Sequence, residues 1–225
     1  AAEASGAQAV HLAQIDRGKQ LTPKKIITPA SVENALRILL AVGGSTNAII
    51  HLTAIAGRLG IPIPLQQLNK LSDETPVLID LKPTGDHYME DLFKAGGLGV
   101  VLRELKPLLN LECLSVTGET LDERLQSEPA YVNREVVRSF DQPIQKMGGL
   151  VSLFGSLAPG GAILKRSAAD PTLFESEGKA VVFKSLEDLA NRIDDPDLEV
   201  EAHDILVLQN AGPMLSLIHI SEPTR

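Results

Sequence analysis

Two strongly apolar stretches of this chain are separated by five residues, Gly43-Gly44-Ser45-Thr46-Asn47. Paired glycines end helices, because the first residue beyond a helix often takes a left-handed backbone that only glycine adopts cheaply. Ser45, Thr46 and Asn47 can each offer a side-chain oxygen to the unpaired amides that open the next helix. The pattern predicts a tight helix-to-helix corner whose second helix presents its positive end and small polar groups outward. Such a corner has two readings. It is plain punctuation between helices, or it is a seat for a carboxylate or phosphate at Ser45, Thr46 and Asn47.

The flanking periodicity supports the corner. Thr28-Pro29 opens a helix as a cap followed by a first-turn proline, and Val32, Leu36, Leu39 and Val42 then fall on one stripe. Beyond the corner, Ile49, Leu52, Ala56 and Leu59 form a second stripe. Apolar residues off both stripes predict that these helices are sandwiched between other elements. Residues 4–17 read as a helix, residues 77–81 as a buried strand running into the turn Lys82-Pro83-Thr84-Gly85, and 88–95 and 98–109 as helices parted by Gly96-Gly97. From about residue 125 the texture changes to short β-like runs at 136–140, 150–154, 162–164, 180–183 and 205–208. One helix interrupts them, opened by Ser185 and Asp188 in a capping-box arrangement. The expected fold class is therefore α/β, with a helix-rich region over residues 1–124, a linker over 125–148 and a β-rich region from 149.

Charge and composition narrow the function classes. The 225 residues carry a net charge of -8, so no basic face for nucleic acid or an acidic membrane is expected. Hydrophobic residues make up 44% of the chain but aromatics only 3%, so aliphatic packing must form the core. One cysteine, Cys113, excludes an internal disulfide framework and points to a reducing, cytoplasmic setting; it reads as a buried structural thiol. No apolar run is long enough for a membrane-spanning helix. Among candidate ligands, His51 sits among Ile50, Leu52 and Ile55 and reads first as a hydrogen-bonded core residue, second as a group facing the corner's cleft. Asp86, His87, Glu90 and Asp91 offer metal-ligand atoms, but at a helix start acidic groups more simply answer the helix dipole. Lys82 is placed to meet a carboxylate or to stand solvated beside its turn. The acidic run 194–201 lacks the spacing and turn glycine of a calcium loop.

Four stretches in order carry a resemblance: AVGGSTNAIIHLTAIAGRLG (41–60), TPVLIDLKPTGDHYMEDLFKAGG (75–97), LSVTGETL (114–121) and SLAPGGAILKRSAA (156–169). Together they closely resemble the family of dihydroxy-acid, 6-phosphogluconate and sugar-acid dehydratases. The run 179–213 is similar to the arabinonate-type members. The resemblance implies the C-terminal part of an α/β/α sandwich domain (1–124), the linker, and the first part of a β-barrel-type domain (149–214), with the active site between the domains. It implies a hydro-lyase that converts a 2,3-dihydroxy or sugar acid to a 2-keto-3-deoxy acid. An iron-sulfur cluster on three cysteines, Mg²⁺ on acidic residues and a modified lysine, and a serine base would serve it. None of these ligands or bases matches a position of this sequence, so no catalytic or metal-binding residue is expected here and the chain by itself is expected to be inactive. In that setting Ser45, Thr46 and Asn47 are expected to bind substrate or line its cleft. Alternatives are the dihydroxy-acid dehydratase of branched-chain amino-acid synthesis, and an inactive piece acting only through a partner subunit; homo-oligomerisation is expected of the full-length protein. Residues 215–225, LSLIHISEPTR, resemble the translation of a sequencing adapter and are expected to have no native role.

Overall fold

The computed structural model describes residues 2–15, 21–127 and 130–211. The adapter-like run 215–225 lies outside the described residues, as do Gly212 and Pro213. The chain divides into two compact units, residues 1–169 and 170–225.

The first unit opens with α1 (Ala2–Gln14), which buries none of its residues, and a single helical turn, α2 (Pro23–Ile26). The central helix is α3 (Pro29–Ala41). Its start is a full capping box. The Thr28 hydroxyl accepts from the Ser31 amide at 3.2 Å and the Ser31 hydroxyl accepts from the Thr28 amide at 2.8 Å. Val32, Leu36, Leu39 and Leu40 pack with α4 (Thr46–Gly57) and α5 (Leu65–Glu74) in one apolar cluster. Ile38, Ala41 and Val42 belong to a second cluster with residues 78–81, α6 (Met89–Lys94) and α7 (Gly97–Glu104). Helix α3 is thus sandwiched, as its off-stripe apolar residues predict.

Helix α4 is not. It buries only Ile49 and Ala56, while Ile50 and Ile55 are exposed. His51 is exposed as well, so the expectation of a core histidine is corrected: its helix face has no covering element among the described residues.

Two buried polar side chains tie α3 to its surroundings. The Arg37 guanidinium, 8% exposed, meets Glu33 at 3.1 Å, Glu74 at 2.8 Å and the buried Thr75 hydroxyl at 3.1 Å. Asn34 donates to the Asn110 carbonyl at 3.0 Å and accepts from its amide at 2.8 Å, pinning the loop that follows α7.

Residues 77–81 are extended, with Val77, Leu78, Ile79 and Leu81 buried, but they form isolated bridges in place of a continuous ladder. Val77 pairs with Gln145, Ile79 with Val137 and Leu81 with His87. The expected strand at 136–140 contributes only the bridge at Val137. A last helix, α8 (Leu121–Gln126), is capped by Thr120 and Glu123. The hairpin β1 (Val151–Leu153) and β2 (Ala162–Leu164) is antiparallel, with Ser152 opposite Ile163. It docks on α5 through Asn69, whose carboxamide accepts from the Ser152 amide at 2.6 Å and donates to its carbonyl at 2.9 Å.

In the second unit, β3 (Ala180–Phe183) pairs in parallel with β4 (Ile205–Leu208), with α9 (Leu186–Arg192) in the crossover. Ser185 caps α9 by accepting from the Asp188 amide at 3.1 Å, while the Asp188 carboxylate reaches back to the Lys184 amide and not to that of Ser185. That contact holds the Asp188 carboxyl below its usual range. Arg192 lies over the fully buried Phe183 ring at 5.0 Å.

Candidate functional site

The predicted corner forms, and its hydrogen bonds explain why two glycines stand there. Gly43 has φ of +60°. Its amide bonds the Leu40 carbonyl at 3.3 Å, and the Gly44 amide bonds the Leu39 carbonyl at 3.0 Å, the paired closure of a Schellman turn. The α3 terminus is also answered from elsewhere. The Leu40 carbonyl accepts a second bond from Gly149 at 3.2 Å, and the Ala41 carbonyl accepts from Leu78 at 2.9 Å. Gly149 approaches so closely that a Cβ there would stand 2.9 Å from the Gly43 Cα.

Ser45 then caps α4, its hydroxyl accepting from the Asn47 amide at 3.2 Å. Ser45 is exposed, whereas Thr46 and Asn47 are half-buried in the first helical turn.

Beside the corner opens a cleft of about 550 Å³. Val42, Gly43, Gly44 and Ser45 form one side, Leu81, Lys82 and Pro83 the next, and Met89, Phe93 and Leu98 from α6 and α7 the far wall. Lys165, directly after β2, closes it. The structure therefore brings Ser45 and Lys82 together and adds Lys165, while Thr46 and Asn47 do not line the cleft. Sequence reasoning passes over Lys165. Its signal was slight, the first of two adjacent cations after the apolar run 162–164, some 120 positions beyond the corner.

The other candidates have local partners. Asp80 holds the turn at 82–85, accepting from the Asp86 amide at 2.8 Å and facing His87 Nδ1 at 3.2 Å. Asp91 caps α6 by accepting from the Tyr88 amide at 2.8 Å, and Glu90 pairs with Lys94 at 2.6 Å. These acidic groups answer a helix start. Lys82 Nζ lies 4.6 Å from the centre of the Tyr88 ring. Cys113 is half-buried near Thr28, and withdrawal from water pushes its thiol above the usual range despite the Thr28 hydroxyl, which favours the thiolate. Among the described residues no group of three or more His, Cys, Asp or Glu side chains is placed to hold a metal ion.

Both halves of the chain match families of known proteins. Residues 1–124 match the dihydroxy-acid/6-phosphogluconate dehydratase N-terminal model, and residues 135–216 the C-terminal model. An L-arabonate dehydratase of Azospirillum brasilense is 44% identical over 196 residues, 86% of this chain and 33% of that protein. A 6-deoxy-6-sulfo-D-gluconate dehydratase of Pseudomonas putida is 44% identical over 85% of this chain and 34% of its own length. A dihydroxy-acid dehydratase of Caldanaerobacter subterraneus subsp. tengcongensis is 40% identical over 87% and 35% respectively. The chain spans about a third of the length of the curated relatives it matches.

Proposed function

We propose, since the chain belongs to the dihydroxy-acid/6-phosphogluconate dehydratase family, that it is a segment of a hydro-lyase whose substrate is a sugar acid. The observation that carries this reading is the cleft. The corner and Lys82 come from the stretch matched by the N-terminal model and Lys165 from the stretch matched by the C-terminal one, so one small-molecule-sized space is lined by both. That fits a fold in which an α/β/α sandwich (1–124) is joined through residues 125–148 to a β-barrel-type domain (149–214), with the reaction between them.

The reaction takes a proton from C2 and the hydroxyl from C3 of a 2,3-dihydroxy acid, and the enol relaxes to a 2-keto-3-deoxy acid. An iron-sulfur cluster needs several thiolates, and this chain has one cysteine, so its residues do not fit that group. They do not gather ligands for Mg²⁺ either, among the described residues. Cluster, Mg²⁺ and base would be held by other segments of the full-length, homo-oligomeric, cytoplasmic enzyme. The present residues bind and orient: Ser45 stands at the cleft, Thr46 and Asn47 stand behind it in the first turn of α4 and orient that positive end toward the substrate, and the 225-residue chain alone is inactive.

The sugar-acid branch is favoured because the two sugar-acid dehydratases above are each 44% identical. A second reading, a dihydroxy-acid substrate, has support from relatives at 40% and 42%. The full-length enzyme, assayed anaerobically on L-arabinonate and on 2,3-dihydroxyisovalerate, decides between them. A kcat/KM at least about tenfold higher on arabinonate, roughly 1.4 kcal/mol, is expected; equality or the reverse order overturns the sugar-acid reading.

A further inference from the structure

We infer that Lys82 and Lys165 together hold the acid group of the substrate, a step that deepens the dehydratase reading and rests on it. Among the described residues the two lysines are the only titratable side chains lining the cleft beside the corner. Neither meets a carboxylate among the described residues. The Tyr88 ring orients the Lys82 ammonium at 4.6 Å without neutralising it. Lys82 is exposed and Lys165 half-buried, and both line a space walled by Leu81, Met89 and Phe93, so an anion seated there would meet two cations against an apolar wall. The N-terminal end of α4 contributes charge of the same sign at Ser45.

Each lysine stands on a fixed support. Lys82 ends the buried run 77–81, and its own amide donates to the His87 carbonyl at 2.8 Å. Lys165 precedes Arg166, whose guanidinium is tied to the Gly148 carbonyl at 2.9 Å and the buried Ser72 hydroxyl at 3.0 Å. Support of this kind on both sides suits recognition of a small carboxylate, with one cation supplied by each of the two matched stretches.

The test uses the full-length enzyme with L-arabinonate as substrate and L-arabinitol, its neutral pentitol counterpart, as competitive inhibitor. Lys82→Met and Lys165→Met are each expected to raise KM by about tenfold or more while kcat stays within about twofold, and Lys→Arg at either position to recover most of the loss. Inhibition by arabinitol should be unmoved by either change. Melting temperatures certify folding, and Lys165→Gln is read in place of a Met variant that melts early. If KM is unaltered in the neutral variants, or if arabinitol weakens in parallel with the acid, the lysine pair does not read the acid group although the dehydratase reading stands. If the wild-type enzyme dehydrates neither arabinonate nor 2,3-dihydroxyisovalerate, both fall together. A preference for the latter acid leaves the lysine test to be made on that substrate, with the same expected rise in KM.

Discussion

Arg37 is the residue whose loss should be felt most. Its buried guanidinium serves Glu33, Glu74 and Thr75, so Arg37→Ala leaves two half-exposed carboxylates facing each other and a buried hydroxyl without its donor. We expect a loss of about 3 kcal/mol in urea unfolding. At the corner, Gly43→Ala meets no atom closer than 3.6 Å but must hold φ at +60°, and should cost about 1 kcal/mol through backbone strain alone. Asn47→Ala separates the two readings of the corner in the full-length enzyme: capping alone leaves turnover intact, whereas a seat for the substrate lowers kcat/KM by more than about tenfold. Cys113 gives a pH test. Its folded-state value lies above that of the unfolded chain, so the thiol stays protonated near neutrality. Any stability linked to it is present below the ordinary thiol range and declines as pH rises through that range. Iodoacetamide should therefore label the folded protein slowly at pH 7, with the rate rising only above the pH at which a free thiol ionises; rapid labelling at pH 7 contradicts the burial.

Elements whose signals are local were legible in the sequence, and those made by distant partners were not. The run 162–164 is β2, and the runs 180–183 and 205–208 are β3 and β4, because flanking Gly, Pro and Asp turns bound each short apolar stretch. The Thr28 and Ser185 caps are likewise written within four residues. Residues 77–81 show the opposite case. Their burial was readable, but whether they form a ladder depends on Val137 and Gln145, some sixty residues away, which give only single bridges. The exposed side of α4 was misread for the same reason: apolar content reports what a helix could bury and not whether a neighbour is present. Docking of the β1–β2 hairpin rests on a polar clamp that periodicity cannot reveal. Asn69→Ala removes both partners of the Ser152 backbone and should destabilise the first unit by about 1–3 kcal/mol. Loss of hydrogen-exchange protection at the Ser152 amide, with α3 still protected, would locate the effect.

At the scale of the whole molecule, the cleft was foreshadowed only in part. The corner that forms one side could be read from five residues, whereas Lys165 reaches it through the fold of the hairpin. What joins the two is the contact of Gly149 with Gly43, backbone against backbone, with Ser167 Oγ 3.0 Å from where a Gly149 Cβ would stand. Neither glycine has an atom to surrender. A defect at one position thus has no remedy at the other. In a selection for suppressors of Gly149→Ala, survivors should restore the glycine, and none should map to residue 43, whose backbone is the obstacle.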